Sequence, residues 1–197
     1  MRIVAFVFVV MTLSSGAVLA NENPSKFSDE SPGAATVRAF ADGVAAARAM
    51  PASENDRQSA LRATLAKYVN FDYVSRAGLG QYWDTLTPEN RVEMSVGLRD
   101  HLAKKIAVFL FARGRNAIVF ARPAAPNMGT NPIVSAMLNL SPGSSMPLLF
   151  RLDGKSEQPQ ISDITIAGVS MIQVLAAECQ SVIRREGFPA LLARIAD

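Results

Sequence analysis

Apolar side chains in the first half of the chain recur every three or four positions, which is the spacing of amphipathic helices. Ser31-Pro32 marks the start of the first predicted helix, and Pro51 marks its end. Ser53 and Asp56 resemble a capping box and open the second helix. A third, shorter helix is predicted to follow.

The fourth predicted helix has the clearest start, because Thr87 can cap it and Pro88 suits its first turn. The helix is expected to run to about Arg113. Its predicted buried face consists of Val92, Val96, Ala103, Ile106 and Leu110. The stretch 106–112 is apolar on all sides, which indicates a segment that is buried all round or that borders an apolar ligand.

Beyond residue 114 the apolar period changes to two, the period of strands. The predicted strands are 116–122, 133–140, 146–152 and 160–166. A last helix is predicted from Ser170 to about Glu186, with a further helical turn from Pro189. Helices first, strands next and a helix last indicate an α+β fold, with helices packed on a curved antiparallel sheet of about four strands.

The first twenty residues carry the features of a secretory signal peptide. Arg2 precedes an almost wholly apolar stretch, 3–13, and Val18-Leu19-Ala20 offers small residues for cleavage. We therefore predict a signal peptide at 1–20, a flexible leader at 21–30 and a single domain at 31–197.

The composition argues against several classes of enzyme. The 197 residues include one Cys and one His, with 20 Lys and Arg against 17 Asp and Glu. Motifs for nucleotide, zinc and hydrolase sites are missing, so we predict no cofactor and no metal. Asp163 and Ser170 lack a histidine partner, so we predict no catalytic residue and interpret these two as structural groups at the last helix. We also predict a surface position for His101, a core position for Cys179 and no binding of nucleic acid.

Three segments carry a resemblance to a known family: 79–83 (LGQYW), 87–91 (TPENR) and 163–172 (DITIAGVSMI). Their order and spacing resemble the MlaC-type periplasmic lipid-binding family, also called the toluene-tolerance auxiliary family, over about 61–195. The resemblance implies a soluble periplasmic carrier that shuttles phospholipid between an outer-membrane lipoprotein complex and an inner-membrane ABC transporter, and so maintains outer-membrane lipid asymmetry. It also implies a hydrophobic cavity between the sheet and the helices.

The resemblance and the apolar pattern together predict which residues line that cavity. The candidates are Phe71, Val74, Tyr82, Trp83, Ile106, Phe109, Leu110, Val134, Ala136, Leu138, Leu148, Phe150, Ile164 and Ile166. Without the resemblance, the same positions suit an ordinary core. The candidate contacts for a lipid headgroup or an acidic partner are Lys104, Lys105, Arg113 and Arg115. The alternative for these four is a solvated helix face.

The sequence is compatible with more than one class of cargo. Pro159 and Ala167 depart from the family's usual pattern, so a hopanoid or another isoprenoid lipid stays open beside phospholipid. Two other classes of function are an enzyme on a similar curved-sheet fold and a structural periplasmic adaptor with a filled core. For a carrier we expect only transient contact with membranes.

Overall fold

The computed structural model describes residues 32–111, 120–124, 132–141, 144–153 and 158–196. In these ranges helices precede strands and helices end the chain, as predicted. The first helices are α1 (Pro32–Ala49), α2 (Glu54–Tyr68), α3 (Phe71–Leu79) and α4 (Pro88–Phe111), with a 3₁₀ segment, Gly80–Thr85, before α4. The last two are α5 (Met171–Glu186) and α6 (Phe188–Ala196).

Side-chain caps fix several helix starts at the predicted places. The Ser53 hydroxyl accepts a hydrogen bond from the Asp56 N–H at 3.2 Å and donates one to the Asp56 carboxylate at 2.7 Å. The Thr87 hydroxyl accepts a hydrogen bond from the Asn90 N–H at 3.2 Å. These bonds satisfy N–H groups that have no partner within the helix. The predicted cap Ser31 lies outside the described residues.

The strands form one antiparallel sheet in sequence order. They are β1 (Phe120–Ala124), β2 (Ile133–Ser141), β3 (Ser144–Leu152), β4 (Ile161–Ile166) and the two-residue β5 (Val169–Ser170). The predictions for β2, β3 and β4 are confirmed, and the predicted strand ends differ from the observed ones by at most two residues. For β1 the described part is shifted towards the C-terminus, and residues 116–119 of the prediction lie outside the described ranges. The sequence analysis did not predict β5.

Helices cover one face of the sheet. Helix α1 packs on β1 and β2, whereas α3 and α5 pack on β4. Helix α4 packs against α2, α3 and α6, so it stands mainly among other helices. The core lies between these helices and the covered face of the sheet. This arrangement confirms the α+β prediction.

The predicted buried face of α4 is wrong in its first half. Val92 is 64% exposed and Val96 is 42% exposed, while Met94 and Leu98 are fully buried. Ala103 is buried as predicted, and it lies on the same helical stripe as the two exposed valines. The neighbours of α4 therefore cover different sides of the helix along its length, and a single periodic stripe could not describe both halves.

Within the described ranges, none of the helices is both long and apolar enough to cross a membrane.

Candidate functional site

The covered face of the sheet is a continuous apolar surface, which we call the inner face. On β2 it is formed by Val134, Ala136 and Leu138, all buried. Leu148 and Phe150 on β3 are also buried, and they lie opposite Ala136 and Val134. The period of two explains this face, because alternate side chains of a strand point to the same side. All five were predicted from the alternation.

Burial of the inner face falls from one end to the other. Along β2 the exposed fraction rises from 0% at Val134 to 7% at Leu138. Along β3 it rises from 0% at Leu152 to 4% at Leu148, and Met146, opposite Leu138, is only partly buried. Both strands are therefore packed most tightly at Val134 and Leu152, which we call the closed end, and less completely at Leu138 and Met146, which we call the open end.

Helix α1 seals the closed end. A Cβ atom at Gly33 would lie 3.2 Å from a methyl group of Leu152 and 3.5 Å from one of Val134. The rings of Phe40 and Phe150 meet edge to face, with centroids 6.0 Å apart. These close contacts leave the closed end as ordinary packed core.

A polar corner ties the helices to the same end of the sheet. The Asn70 side chain caps α3 and donates a hydrogen bond to the Asp153 carboxylate at 2.8 Å. The same carboxylate accepts a hydrogen bond from the Gln160 N–H at 2.7 Å. The Asn70 N–H also donates to the Ile161 carbonyl at 2.9 Å. Because these groups are satisfied within the corner, the closed end is held by directional bonds as well as by packing.

At the open end, apolar side chains emerge towards solvent. Ile166 lies opposite Leu148 and is partly buried. Val169, its partner on β5, is 51% exposed. Ile164, nearer the closed end of β4, is partly buried and lies opposite Phe150. The inner face thus continues across β3, β4 and β5 to an exposed edge.

The helical candidates lie on the other side of this core. Phe71 and Val74 on α3 are buried at 9% and 8%, and Ile106 on α4 is partly buried. Phe71 and Val74 belong to the hydrophobic cluster that includes the inner face, and Ile106 packs against it. The side chains of Phe109 and Leu110 lie outside the described part of the chain.

Tyr82 and Trp83 pack at the edge of the same cluster. The guanidinium of Arg91 lies 5.2 Å from the centre of the Trp83 ring and donates a hydrogen bond to the Trp83 carbonyl at 3.2 Å. This cation–π contact fixes the indole at the start of α4. Trp83 therefore holds the 3₁₀ segment against α4 in addition to contacting the core.

The four basic candidates, Lys104, Lys105, Arg113 and Arg115, are called the basic band below. The structure describes Lys104 and Lys105, whereas Arg113 and Arg115 lie outside the described residues. The ammonium of Lys104 donates a hydrogen bond to the carbonyl of Ala196 at 2.9 Å. Lys105 is exposed. Burial raises the pKa of Glu178 on α5, and the positive charge of Lys105 acts in the opposite direction. These two lysines thus interact with α5 and α6 as well as with solvent.

Asp163 and Ser170 organise the start of α5. Ser170 donates a hydrogen bond to one carboxylate oxygen of Asp163 at 2.6 Å, and the other oxygen accepts one from the Ile172 N–H at 3.1 Å. Ser170 also accepts a hydrogen bond from the Gln173 N–H at 3.3 Å. The predicted structural roles of both residues are confirmed, since their polar atoms serve the helix terminus.

The prediction of a surface position for His101 is wrong. The side chain is half-buried, and its Nδ1 is buried without a hydrogen-bond partner. Burial lowers the pKa of His101, and the charges of Lys105 and Lys104 lower it further, while the backbone of Ile195 acts in the opposite direction. The charged residues on both sides of His101 concealed that α6 packs on this part of α4.

Cys179 is buried as predicted, and burial raises the pKa of its thiol to about 12. Such a thiol carries almost no thiolate at neutral pH, so Cys179 acts as an apolar core residue. Among the residues that the structure describes, we find no cluster of three His, Cys, Asp or Glu side chains that could bind a metal ion.

The sequence analysis did not predict which end of the inner face is packed more tightly. The closing contacts at Gly33 and Ile161 depend on strand register and on helix placement, neither of which a local pattern contains. The exposed position of Val169 had one signal in the sequence: Gly168 between two apolar stretches permits a tight turn.

The fold and the inner face define an α+β protein with helices packed on one face of an open antiparallel sheet and a large apolar interior. The sequence profile of the MlaC protein family matches residues 35–197. The chain therefore belongs to the MlaC family.

A solved structure shares this fold: a phospholipid-binding protein from Ralstonia solanacearum in complex with a phospholipid. The TM-score is 0.69 at 20% sequence identity, and the match covers 82% of this chain and 93% of that chain. A search of curated proteins found no match.

Proposed function

We propose that this protein is a soluble periplasmic carrier that holds phospholipid acyl chains against the inner face of the sheet. The observation that carries the proposal is a continuous apolar face, packed most tightly at one end and less completely at the other, in a member of the MlaC family. The phospholipid bound by the Ralstonia protein of the same fold supports a ligand of this class.

The physical need for such a carrier follows from the insolubility of lipid. Two acyl chains contain on the order of 30 methylene groups, and each costs about 0.8 kcal/mol to expose to water. Free lipid therefore crosses water too slowly to be useful. An apolar protein interior resembles the bilayer interior, so transfer between the two is close to balanced and needs no catalytic residue.

A balanced exchange has no direction of its own, and the direction must come from partners. We propose an inner-membrane ABC transporter and an outer-membrane lipoprotein complex as these partners, because the family resemblance implies them. The signal peptide predicted at 1–20 would deliver the protein to the compartment between them. Hopanoid or another isoprenoid lipid is the second candidate cargo, since Ala167 and Pro159 depart from the family's usual pattern.

A lipid-transfer assay tests the proposal with a matched pair of variants. Small amounts of protein are mixed with donor vesicles that contain labelled phospholipid and with unlabelled acceptor vesicles. Leu138→Asp places a charge near the open end of the inner face, whereas Ser135→Asp places the same charge on the other face of β2. We expect Leu138→Asp to abolish transfer, because an unpaired buried charge is costly, and Ser135→Asp to retain it.

Circular dichroism and thermal melting of both variants establish that they are folded. If Leu138→Asp does not fold, Leu138→Trp fills the same site without a charge and is expected to reduce transfer as well. Wild-type protein that transfers no lipid would contradict the carrier. Lipid recovered in a chemically altered form would instead favour an enzyme on this fold.

A further inference from the structure

The two-residue turn between β4 and β5 has an unusual composition. Its central residues, Ala167 and Gly168, both have positive φ angles, 49° and 85°. Hairpin turns of this kind favour Asn, Asp or Gly at both positions, and a residue with a Cβ atom is strained there. Ala167 and Gly168 are exposed, so packing does not explain the alanine. The chain keeps an apolar residue where a polar one would be more stable.

The turn continues the inner face. Leu148, Ile166 and Val169 occupy one row across β3, β4 and β5, and their exposure rises along that row to 51% at Val169. An acyl chain that left the inner face along this row would therefore pass over Ile166 and Val169 to the turn. The turn is part of the rim of the open end.

Charge is absent from the part of the sheet that leads to the turn. Strand β2 contains no charged residue, and neither do the stretches 144–150 and 164–177. The charged Arg122 lies on β1, at the opposite edge of the sheet from the turn. The nearest charged positions on β3 and β4 are Arg151 and Asp163, which lie opposite each other, two residues nearer the closed end than Leu149 and Thr165. About a quarter of the residues in soluble domains are charged. A neutral rim suits an apolar surface better than an acidic or basic partner.

We propose that this rim, the turn formed by Ile166, Ala167, Gly168 and Val169, rests on the surface of a lipid bilayer and brings the open end of the inner face against it. The inference rests on the proposed lipid-carrier function and names the element that docks. Contact is made by neutral, apolar groups that reach the boundary between headgroups and acyl chains. Docking is then insensitive to salt and to headgroup charge, in contrast to docking by the basic band.

A site-specific fluorescent label tests the docking. Cys179 is buried with its pKa raised to about 12, so a cysteine introduced at the surface can be labelled selectively. Val169→Cys places an environment-sensitive dye on the rim. Val92→Cys is the matched control, because Val92 is also exposed but lies on α4. With vesicles of phosphatidylcholine alone we expect a blue shift at position 169 and none at position 92, at low and at high salt.

Substitution by aspartate supplies a second readout. Val169→Asp is expected to slow lipid transfer from vesicles by about tenfold, since burial of one valine changes a partition constant by that order. Val92→Asp should leave the rate unchanged. Lipid already bound should be retained by both variants, as mass spectrometry of organic extracts can measure.

The outcomes separate this inference from the proposed function. Wild-type protein that carries lipid but shows no label shift at position 169, or equal shifts at 169 and 92, overturns docking by the rim and leaves the carrier intact. Slow transfer by Val169→Asp without any vesicle response of the label would also overturn docking by the rim, because it would place the effect of Val169 at a step other than contact with the bilayer. Wild-type protein without lipid or transfer activity overturns both.

Discussion

Phe150→Ala measures how much the closed end of the inner face contributes to stability. Phe150 is 1% exposed, and its ring contacts the ring of Phe40 edge to face. Truncation of a buried phenylalanine costs about 3–5 kcal/mol, which includes about 0.5–1.5 kcal/mol for such a ring pair. The free energy of unfolding of a domain of this size is about 5–15 kcal/mol, so the variant loses a large share of its stability. The melting temperature should fall by roughly 6–20 °C.

Urea unfolding followed by circular dichroism gives the change in free energy of unfolding. Leu149→Ala is the control, because Leu149 is the next residue on β3 but lies on the other face and is 40% exposed. We expect the control to lose less than about 1 kcal/mol. If Leu149→Ala lost as much as Phe150→Ala, the assignment of the two faces of the sheet would be refuted.

Three further predictions concern single side chains. Ala167→Asn should raise the free energy of unfolding by about 1 kcal/mol in urea titrations, because Asn tolerates a positive φ angle. A decrease in this free energy would contradict a strained backbone at Ala167. His101, whose pKa is lowered from 6.5 by burial and by Lys105 and Lys104, binds a proton more readily in the unfolded state. The melting temperature should therefore fall as the pH drops below about 6.5, and less so in His101→Asn; equal profiles would contradict this role. Native Cys179 should resist thiol reagents at about pH 8, because about one thiol in ten thousand is ionised, and should react only on unfolding; fast reaction in the native state would contradict its burial.

The regular elements could be predicted because local rules determine them. Ser53 and Thr87 cap helices through their own side chains, and alternation places Leu148 and Phe150 on one face. Such features depend on neighbours within a few residues, so a single sequence contains enough information.

The features that were missed depend on distant parts of the chain. Val92 and Val96 have the same apolar character as the buried Met94 and Leu98, and only the positions of the neighbouring helices decide which pair is covered. His101 is half-buried because α6 returns to α4 from about 90 positions later in the chain. The closed and open ends of the inner face likewise emerge only when strands and helices are assembled.

The most direct test of the lipid carrier is the stoichiometry of co-purified lipid. Protein is isolated from its exporting cells without detergent, extracted with organic solvent and analysed by mass spectrometry, with the protein quantified in the same sample. We predict close to one lipid molecule per chain, and protein stripped of lipid should regain it on incubation with vesicles. Protein that carries no lipid as isolated and takes up none from vesicles, while remaining folded by circular dichroism, would contradict the carrier.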